Sequence, residues 1–361
     1  MKVTNSSDPR RFSPEELLSD GNYTEPLFAN GVRCHGGFDA DGTYRSPRTL
    51  VRGPAIEAWQ AQLAQEGAEL IEIPVALMPP QYPNADQVLL LVNESVRDPI
   101  VRALTIISIV EGFGAIVRDI KVPDLEKLVV EPIDGTALAH LRGGLLEAHA
   151  RDEAGYRDQG GHKQMWEAAR DLAFENPRIP PDVLMRMMGR RGRQKKRQPL
   201  FPQIDAGLER MLTTLVQVLV VEVFAEGTFE WGKTILGDPE VSAAPGPAGK
   251  MVSYIQSDEK PHVEYLRTVL SELRARTIRD QRGGTIDGRR LIDGYLHRTL
   301  RVITRNRRAE QREDTRASLA DAAKGARDPV GLMERFDQLE SDWTPPVKTG
   351  FEPREPDSAR L

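Results

Sequence analysis

Three glutamates near the middle of the chain interrupt segments that are otherwise apolar. Glu111 follows the run Leu104–Val110, and Glu222 and Glu226 follow the run Leu215–Val221. Segments that are apolar almost all round predict buried helices. An unpaired ionised carboxylate in such surroundings costs several kcal/mol, so it needs an arginine partner, a proton or a metal ion.

Two further segments place a glutamate directly after an aspartate. Glu259 and His262, in the sequence Asp-Glu-Lys-Pro-His, are three residues apart and therefore share one face of a helix. Glu153 follows Asp152 in the same way, but Tyr156 stands where the histidine is expected. Carboxylates combined with a little imidazole are ligands suited to iron or manganese.

Because Tyr156 replaces the expected histidine, the second Glu-x-x segment has no nitrogen ligand. Two histidines are alternative sources of that ligand. His149 precedes Glu153 by four residues and lies on nearly the same helical face. His162 follows Glu153 by nine residues, about half a turn out of phase, and turns inward only if Gly160-Gly161 breaks the helix. Tyr156 itself is a candidate phenolate ligand or redox-active catalytic residue.

The order of these motifs over residues 99–276 resembles the ferritin-like diiron-carboxylate superfamily. In that superfamily two helices each carry one Glu and two others each carry Glu-x-x-His, and together they hold a pair of cations. The resemblance implies reduction of the pair, activation of O₂ and oxidation of a small organic substrate in an adjacent apolar pocket. It implies two iron ions, with manganese or a mixed pair as the alternative. The metal ligands that we predict are Glu111, His149, Glu153, Glu226, Glu259 and His262.

The ligand on the third helix follows from a comparison of heights above the connecting loop. Glu226 stands ten residues before Leu236, and Glu259 stands ten residues after Gly249, each about 15 Å along a helix. Glu222 is one turn deeper and is the reserve candidate, and Glu230 is expected on the rim. We therefore predict Glu226.

Composition limits the kinds of metal site that the chain can build. One cysteine, Cys34, excludes a disulfide framework, an iron–sulfur cluster and a thiolate-rich zinc site. The 361 residues, 39% hydrophobic and 29% charged, are enough for about two domains. No signal-like segment and no run of about 18 uninterrupted apolar residues stands out, so we expect a cytoplasmic protein without a membrane span.

The predicted fold is all-α, a ferritin-like four-helix bundle with additions at both ends. Residues 1–98 are rich in Gly, Pro and Asp and predict a loop-rich extension with short strands, packed on the bundle. The bundle covers 99–276, with helices over 99–121, 136–176, 205–236 and 249–276. Residues 277–344 predict a helical extension, and 345–361 predict a disordered tail.

Two basic segments support an alternative, non-enzymatic function. Residues 186–197 carry seven positive charges and no acid, and residues 274–308 hold eleven arginines against three aspartates, although the whole chain has a net charge of −5. A bundle with a decayed metal site could use them to bind an anionic partner. Neither segment has interleaved aromatic residues, so nucleic acid is not the expected partner. For the oxygenase or oxidase hypothesis the partners are the substrate, O₂, an electron-donor protein and a second copy in a homodimer.

Overall fold

The computed structural model describes residues 10–179, Val183 and 198–352, and this part of the chain is mostly helical. Its α-helices are α1 (Pro14–Leu17), α2 (Arg52–Gln65), α3 (Ala85–Asn93), α4 (Asp98–Gly114), α5 (Leu125–Leu128), α6 (Leu146–Ala154), α7 (His162–Ala173), α8 (Ala206–Gly237), α9 (Pro245–Arg274), α10 (Gly288–Arg301), α11 (Arg308–Ala323) and α12 (Pro329–Gln338). Its strands are β1 (Glu25–Ala29), β2 (Val32–Phe38), β3 (Tyr44–Arg45), β4 (Thr277–Arg279) and β5 (Thr285–Asp287). This content is consistent with the predicted all-α class.

The two longest helices, α8 and α9, pack against each other on either side of a short connection. Asp205 caps α8, because its side chain accepts hydrogen bonds from the N–H groups of Gly207 and Leu208. Helix α9 begins at Pro245, four residues before the predicted start, since proline at the first helical position lacks only an N–H that would have no helical partner. Helix α9 continues through Pro261 and also packs on α7, which packs on α4.

The single helix predicted over 136–176 is divided into several pieces. A 3₁₀-helix (Ala137–His140) and a π-helix (Leu141–Leu145) lead into α6, and a turn separates α6 from α7. Gly155 ends α6 with φ at +82°, a conformation that favours glycine. Gly161 packs so closely that a Cβ there would lie 2.3 Å from the carbonyl oxygen of Asp152. The turn therefore depends on these two glycines, and it starts a new helix at His162.

The N-terminal part of the chain is more helical than predicted. Strands β1, β2 and β3 form the expected small antiparallel sheet. However, α2 and α3 lie within the region that we predicted as loops and short strands, and this part of the prediction is wrong. Helix α3 carries a local start signal, because Asn84 and Gln87 exchange side chain to backbone hydrogen bonds in a capping box. The sheet is attached to the turn before α7 through hydrogen bonds between β2 and Gly160.

The C-terminal part continues with a hairpin and three helices. Strands β4 and β5 pair, α10 packs on α8 and α9, and a π-helical stretch (Val302–Arg307) joins α10 to α11. Within the segment predicted as a disordered tail, residues 345–352 are described and partly buried: Phe351 is in the core, and Thr349 lies 2.9 Å from His297. The basic segment 186–197 and the rest of the tail lie outside the described residues.

Among the residues that the structure describes, two helical segments are long and apolar enough to cross a membrane by length and composition, and core helices pass the same test. They are Asp98–Asp119 and Ala206–Gly237, which carry Glu111 and Glu222 respectively. The finding does not decide where the protein resides, so the predicted cytoplasmic location stays a prediction.

The buried carboxylate of Glu272 gives the fold a specific pH dependence. It accepts hydrogen bonds from the backbone N–H groups of Ala137 and Leu138, 3.0 Å each, and burial raises its pKa from 4.5 to about 7. The folded state therefore binds this proton more tightly than the unfolded chain, and the free energy of unfolding falls as pH rises through that interval. At 1.36 kcal/mol per pKa unit the loss is about 3 kcal/mol.

Urea denaturation at pH 5 and pH 8 measures this contribution. The wild-type protein should lose about 3 kcal/mol more between the two pH values than Glu272→Gln, which has no titrating proton at this position. An equal change in both proteins would show that Glu272 is ionised at pH 5 in the folded state.

Candidate metal centre

Seven side chains with ligand atoms converge between five helices. They are Glu111 on α4, His149 and Glu153 on α6, His162 on α7, Glu222 on α8, and Glu259 and His262 on α9. Each of these side chains is at most 10% exposed. Four carboxylates and three imidazoles thus meet in a largely buried volume.

The cluster contains two overlapping sets of four groups whose ligand atoms lie within 4.8 Å of one another. One set comprises His149, Glu153, Glu222 and His262, and the other comprises Glu153, His162, Glu259 and His262. The two sets share Glu153 and His262. Each set could hold a metal ion, and its carboxylates would supply negative charge to balance a divalent cation.

Several atoms at the centre of the cluster have no hydrogen-bond partner. These buried atoms are His149 Nε2, Glu153 Oε1, both ring nitrogens of His162, and Glu259 Oε1. His162 Nδ1 lies 2.8 Å from Glu259 Oε1, but the two are not aligned for a hydrogen bond. Buried polar atoms without partners are costly, and they are the atom types that bind iron, manganese or zinc. The donor set therefore fits a pair of cations.

A glycine on α4 leaves room for the central carboxylate. A Cβ at Gly114 would lie 2.5 Å from Cγ and 2.8 Å from Oε2 of Glu153. Any larger residue there would displace Glu153, so the close approach of α4 to α6 shapes the cluster.

Outer hydrogen bonds hold the imidazoles in defined orientations. His262 Nε2 lies 2.9 Å from Asp152, and His149 Nδ1 lies 3.0 Å from the hydroxyl of Tyr265. Each ring therefore turns its other nitrogen toward the cluster, as metal-binding histidines do when a second group fixes the ring. His162 Nε2 lies 3.6 Å from Asp258.

Both aspartates are themselves held by residues from the N-terminal region. Asp152 is fully buried and accepts hydrogen bonds from Arg48 and Arg52. Asp258 is fully buried and contacts His35 Nε2 at 2.9 Å and the hydroxyl of Tyr44 at 2.8 Å. The β2–β3 sheet and the start of α2 thus form the outer layer of the site.

The electrostatics of the cluster favour cations. Burial, together with Glu153, raises the pKa of Glu111 well above its ordinary value, and burial with Glu259 does the same for Glu222. Burial would lower the pKa of His162, but Glu259 and Glu153 outweigh it and raise that pKa well above its ordinary value. The carboxylates thus attract positive charge strongly, whether it arrives as protons or as metal ions.

The structure places Glu222, and not Glu226, in the cluster. Glu226 is exposed, and its carboxylate accepts a hydrogen bond of 2.7 Å from Gln256, which also bonds Glu230. The prediction of Glu226 is wrong because it counted the height of Glu259 from a helix start at Gly249. Helix α9 begins at Pro245 instead. With the observed bounds, Glu259 is 14 residues into α9 and Glu222 is 15 residues before the end of α8, so these two stand at equal height.

Tyr156 is not part of the cluster. It lies in the turn after α6, half-buried, with its ring 3.8 Å from the guanidinium carbon of Arg151. The Glu-x-x-Tyr spacing cannot align the tyrosine with Glu153, because α6 ends at Ala154. His162, which was an alternative, enters the cluster because the chain breaks at Gly160-Gly161, and His149 enters it as predicted.

The sequence did not indicate the residues of the outer layer. Arg48 and Arg52 each lie at least 100 residues from Asp152 in sequence, and no motif connects them to it. His35 forms a third group of ligand-type atoms with His162 and Asp258, and it also had no local signal. Comparison with protein-family models, with curated proteins and with solved structures found no match to this chain.

Proposed function

We propose that this protein is a dimetal carboxylate enzyme of the ferritin-like type that uses O₂ to oxidise a small organic substrate. The observation that carries the proposal is the buried cluster, in which three carboxylates and three imidazoles form two overlapping sets with unpartnered ligand atoms. The proposed bundle consists of α4, the divided pair α6 and α7, α8, and α9. It differs from the pattern in the superfamily because the second helix is interrupted, and histidines on both sides of the break supply nitrogen.

The residues of the cluster can be divided between two metal positions. His149 and Glu222 would hold one ion, and His162 and Glu259 would hold the other, while Glu153 and His262 belong to both sets. Glu111 lies 3.8 Å from His162 Nδ1 and would therefore belong to the position that contains His162. Iron is the metal that we favour, with manganese or a mixed pair as the alternative, because the donors are oxygen and imidazole nitrogen. Two redox-active ions would supply the electrons for O₂ activation, and an electron-donor protein would restore them.

The least buried ligands indicate where a substrate approaches. The side chains of Glu111 and Glu222 are 10% and 9% exposed, more than the other five. The residues directly before them, Val110 and Val221, are each 41% exposed. The carboxylates of the cluster support a substrate whose reacting part carries no negative charge, because an anionic group would be repelled there.

The pair Glu222 and Glu226 provides a matched test of the metal assignment. Glu222→Gln should lower the metal content from two ions per chain to about one or fewer, because a glutamine is a poor substitute for an ionised ligand. Glu226→Gln changes the same charge one turn away on the same helix and should retain both ions. Metal analysis of protein loaded with Fe²⁺ under anaerobic conditions gives the count, and equal retention by both variants would contradict the assignment.

O₂ uptake tests the enzymatic part of the proposal. After anaerobic loading with Fe²⁺, the wild-type protein and Glu226→Gln should consume O₂ when air is admitted, and Glu222→Gln should consume it at the rate of free Fe²⁺. If metal binds as predicted but the loaded wild-type protein takes up O₂ no faster than free Fe²⁺, the site binds metal without activating O₂. The non-enzymatic alternative would then be preferred.

A further inference from the structure

A second site of different chemistry lies on the C-terminal helices. A cavity of about 520 Å³ opens between α10, the π-helical stretch after it and the segment before α8. Nine residues line it: Leu200, Phe201, Arg290, Gly294, His297, Arg298, Arg301, Val302 and Arg305. The volume is within the range of sites for small organic ligands, roughly 300–1,000 Å³.

The cavity concentrates positive charge. Among the described residues, no acidic group lies within 4.0 Å of Arg290, Arg298, Arg301 or Arg305. By contrast, Arg274 on the neighbouring helix is paired with Asp293 at 2.7 Å. Two described carboxylates approach other lining residues: Glu209 accepts a hydrogen bond of 2.7 Å from the backbone N–H of Leu200, and Glu352 lies 3.9 Å from Nδ1 of His297.

The spacing of the arginines brings several positive charges close together. Arg298, Arg301 and Arg305 follow one another at intervals of three and four residues, so their side chains leave the same side of the chain. Like charges at this spacing repel each other. A bound anion with several negative charges would relieve the repulsion and accept hydrogen bonds from the planar guanidinium groups, which fit phosphate oxygens in pairs.

One wall of the cavity is apolar and held in place. The ring of Phe201 packs edge-on against Tyr295, with centroids 5.4 Å apart. It also lies close to Gly294, where a Cβ would come within 2.9 Å of the ring. With Leu200 and Val302, this ring offers a surface for an organic group beside the arginines.

We propose that this cavity binds a small organic phosphate, with its phosphate groups on the arginines and its organic part against Phe201. A concave site of this size encloses one small molecule, whereas a nucleic-acid strand needs an extended basic groove with several stacking aromatic residues. A smaller cavity shares Arg298 and Val302 with this one and reaches Val221, the residue before Glu222. The existence of the organic phosphate site does not depend on the proposed metal centre.

Calorimetric titration of the full chain in 150 mM salt tests the proposal, with inorganic pyrophosphate and ADP as probes. The double variant Arg298→Gln/Arg301→Gln should bind pyrophosphate at least about tenfold more weakly than the wild-type protein, because it loses two charge-assisted contacts. Arg289→Gln is the matched control, since Arg289 lies on the same helix but does not line the cavity, and its affinity should stay within about twofold. Denaturation midpoints verify that all three proteins are folded.

Two outcomes would overturn the proposal. The first is the absence of saturable pyrophosphate binding to the wild-type protein, or an equal loss of affinity in the double variant and in Arg289→Gln. The second is a single-stranded oligonucleotide of ten bases that binds more tightly than pyrophosphate and is weakened by Arg289→Gln, which would indicate a nucleic-acid interface. Phe201→Leu should weaken ADP and leave pyrophosphate unchanged, and unchanged ADP affinity would contradict the placement of the organic part.

Discussion

Replacement of Glu153 by glutamine is expected to weaken both metal positions at least about 100-fold, the largest effect of any single ligand in the cluster. Glu153 belongs to both sets of ligand atoms, and its Oε1 is buried without a hydrogen-bond partner. The substitution removes the negative charge while preserving the size of the side chain. Titration of the protein with Mn²⁺, followed by electron paramagnetic resonance of the free ion, measures the affinity at both positions.

Glu147 provides the control for this experiment. It lies on the same helix, α6, but its carboxylate faces outward and pairs with Arg151 at 2.7 Å. Glu147→Gln should therefore bind Mn²⁺ as the wild-type protein does. If Glu153→Gln retained two ions with wild-type affinity, the carboxylate at the centre of the cluster would not be a ligand.

Replacement of Arg48 by leucine is expected to have the largest effect on stability, a loss of about 3 kcal/mol in the free energy of unfolding of the metal-free protein. Arg48 is 2% exposed and donates hydrogen bonds to Asp152, which is completely buried. Removal of one partner of a buried ion pair leaves an uncompensated charge in a medium that solvates it poorly. Arg52 and His262 still contact Asp152, so the loss should be at the lower end for such pairs.

Arg45→Leu is the comparison for Arg48→Leu. Arg45 pairs with Asp39 at 2.6 Å, but its side chain is 62% exposed, and exposed pairs contribute about 1 kcal/mol or less. Urea denaturation of both variants should show a loss several times larger for Arg48→Leu. Similar small losses would mean that water or another group compensates Asp152 after the substitution.

The long helices could be predicted because their apolar pattern is local. The predicted span 205–236 agrees with α8 within one residue at each end, and Asp205 acts as its cap. Helix α9 was placed four residues too late because Pro245 and Pro247 were interpreted as loop residues, although proline is compatible with the first turn of a helix. That single displacement produced the wrong choice between Glu226 and Glu222.

The break between α6 and α7 shows a different limit. Motif spacing assumes a continuous helix, and on that assumption Tyr156 aligns with Glu153. The structure ends α6 at Ala154, because Gly155 adopts a positive φ and Gly161 packs against the backbone of Asp152. The double glycine at 160–161 was visible in the sequence, but whether it breaks a helix depends on tertiary contacts such as the pairing of Gly160 with β2.

The outer layer could not have been predicted from the sequence. Arg48 and Asp152 are 104 positions apart, and His35 and Asp258 are 223 positions apart. Such contacts arise only when the N-terminal sheet is placed on α6 and α9, and a single sequence carries no periodic pattern for that placement. Helix α2 begins at Arg52, within the region that we predicted as loops. It was not predicted because its sequence also lacks a clear periodic pattern.

The most direct test of the dimetal assignment is anomalous scattering from a crystal of the wild-type protein loaded anaerobically with Fe²⁺, measured at the iron edge. Two peaks about 3.5–4 Å apart are expected on either side of the Glu153 carboxylate, one beside His149 and Glu222 and the other beside His162 and Glu259. The absence of any peak among these residues in fully loaded crystals, or a single peak that His149 and His162 do not contact, would contradict the dimetal centre.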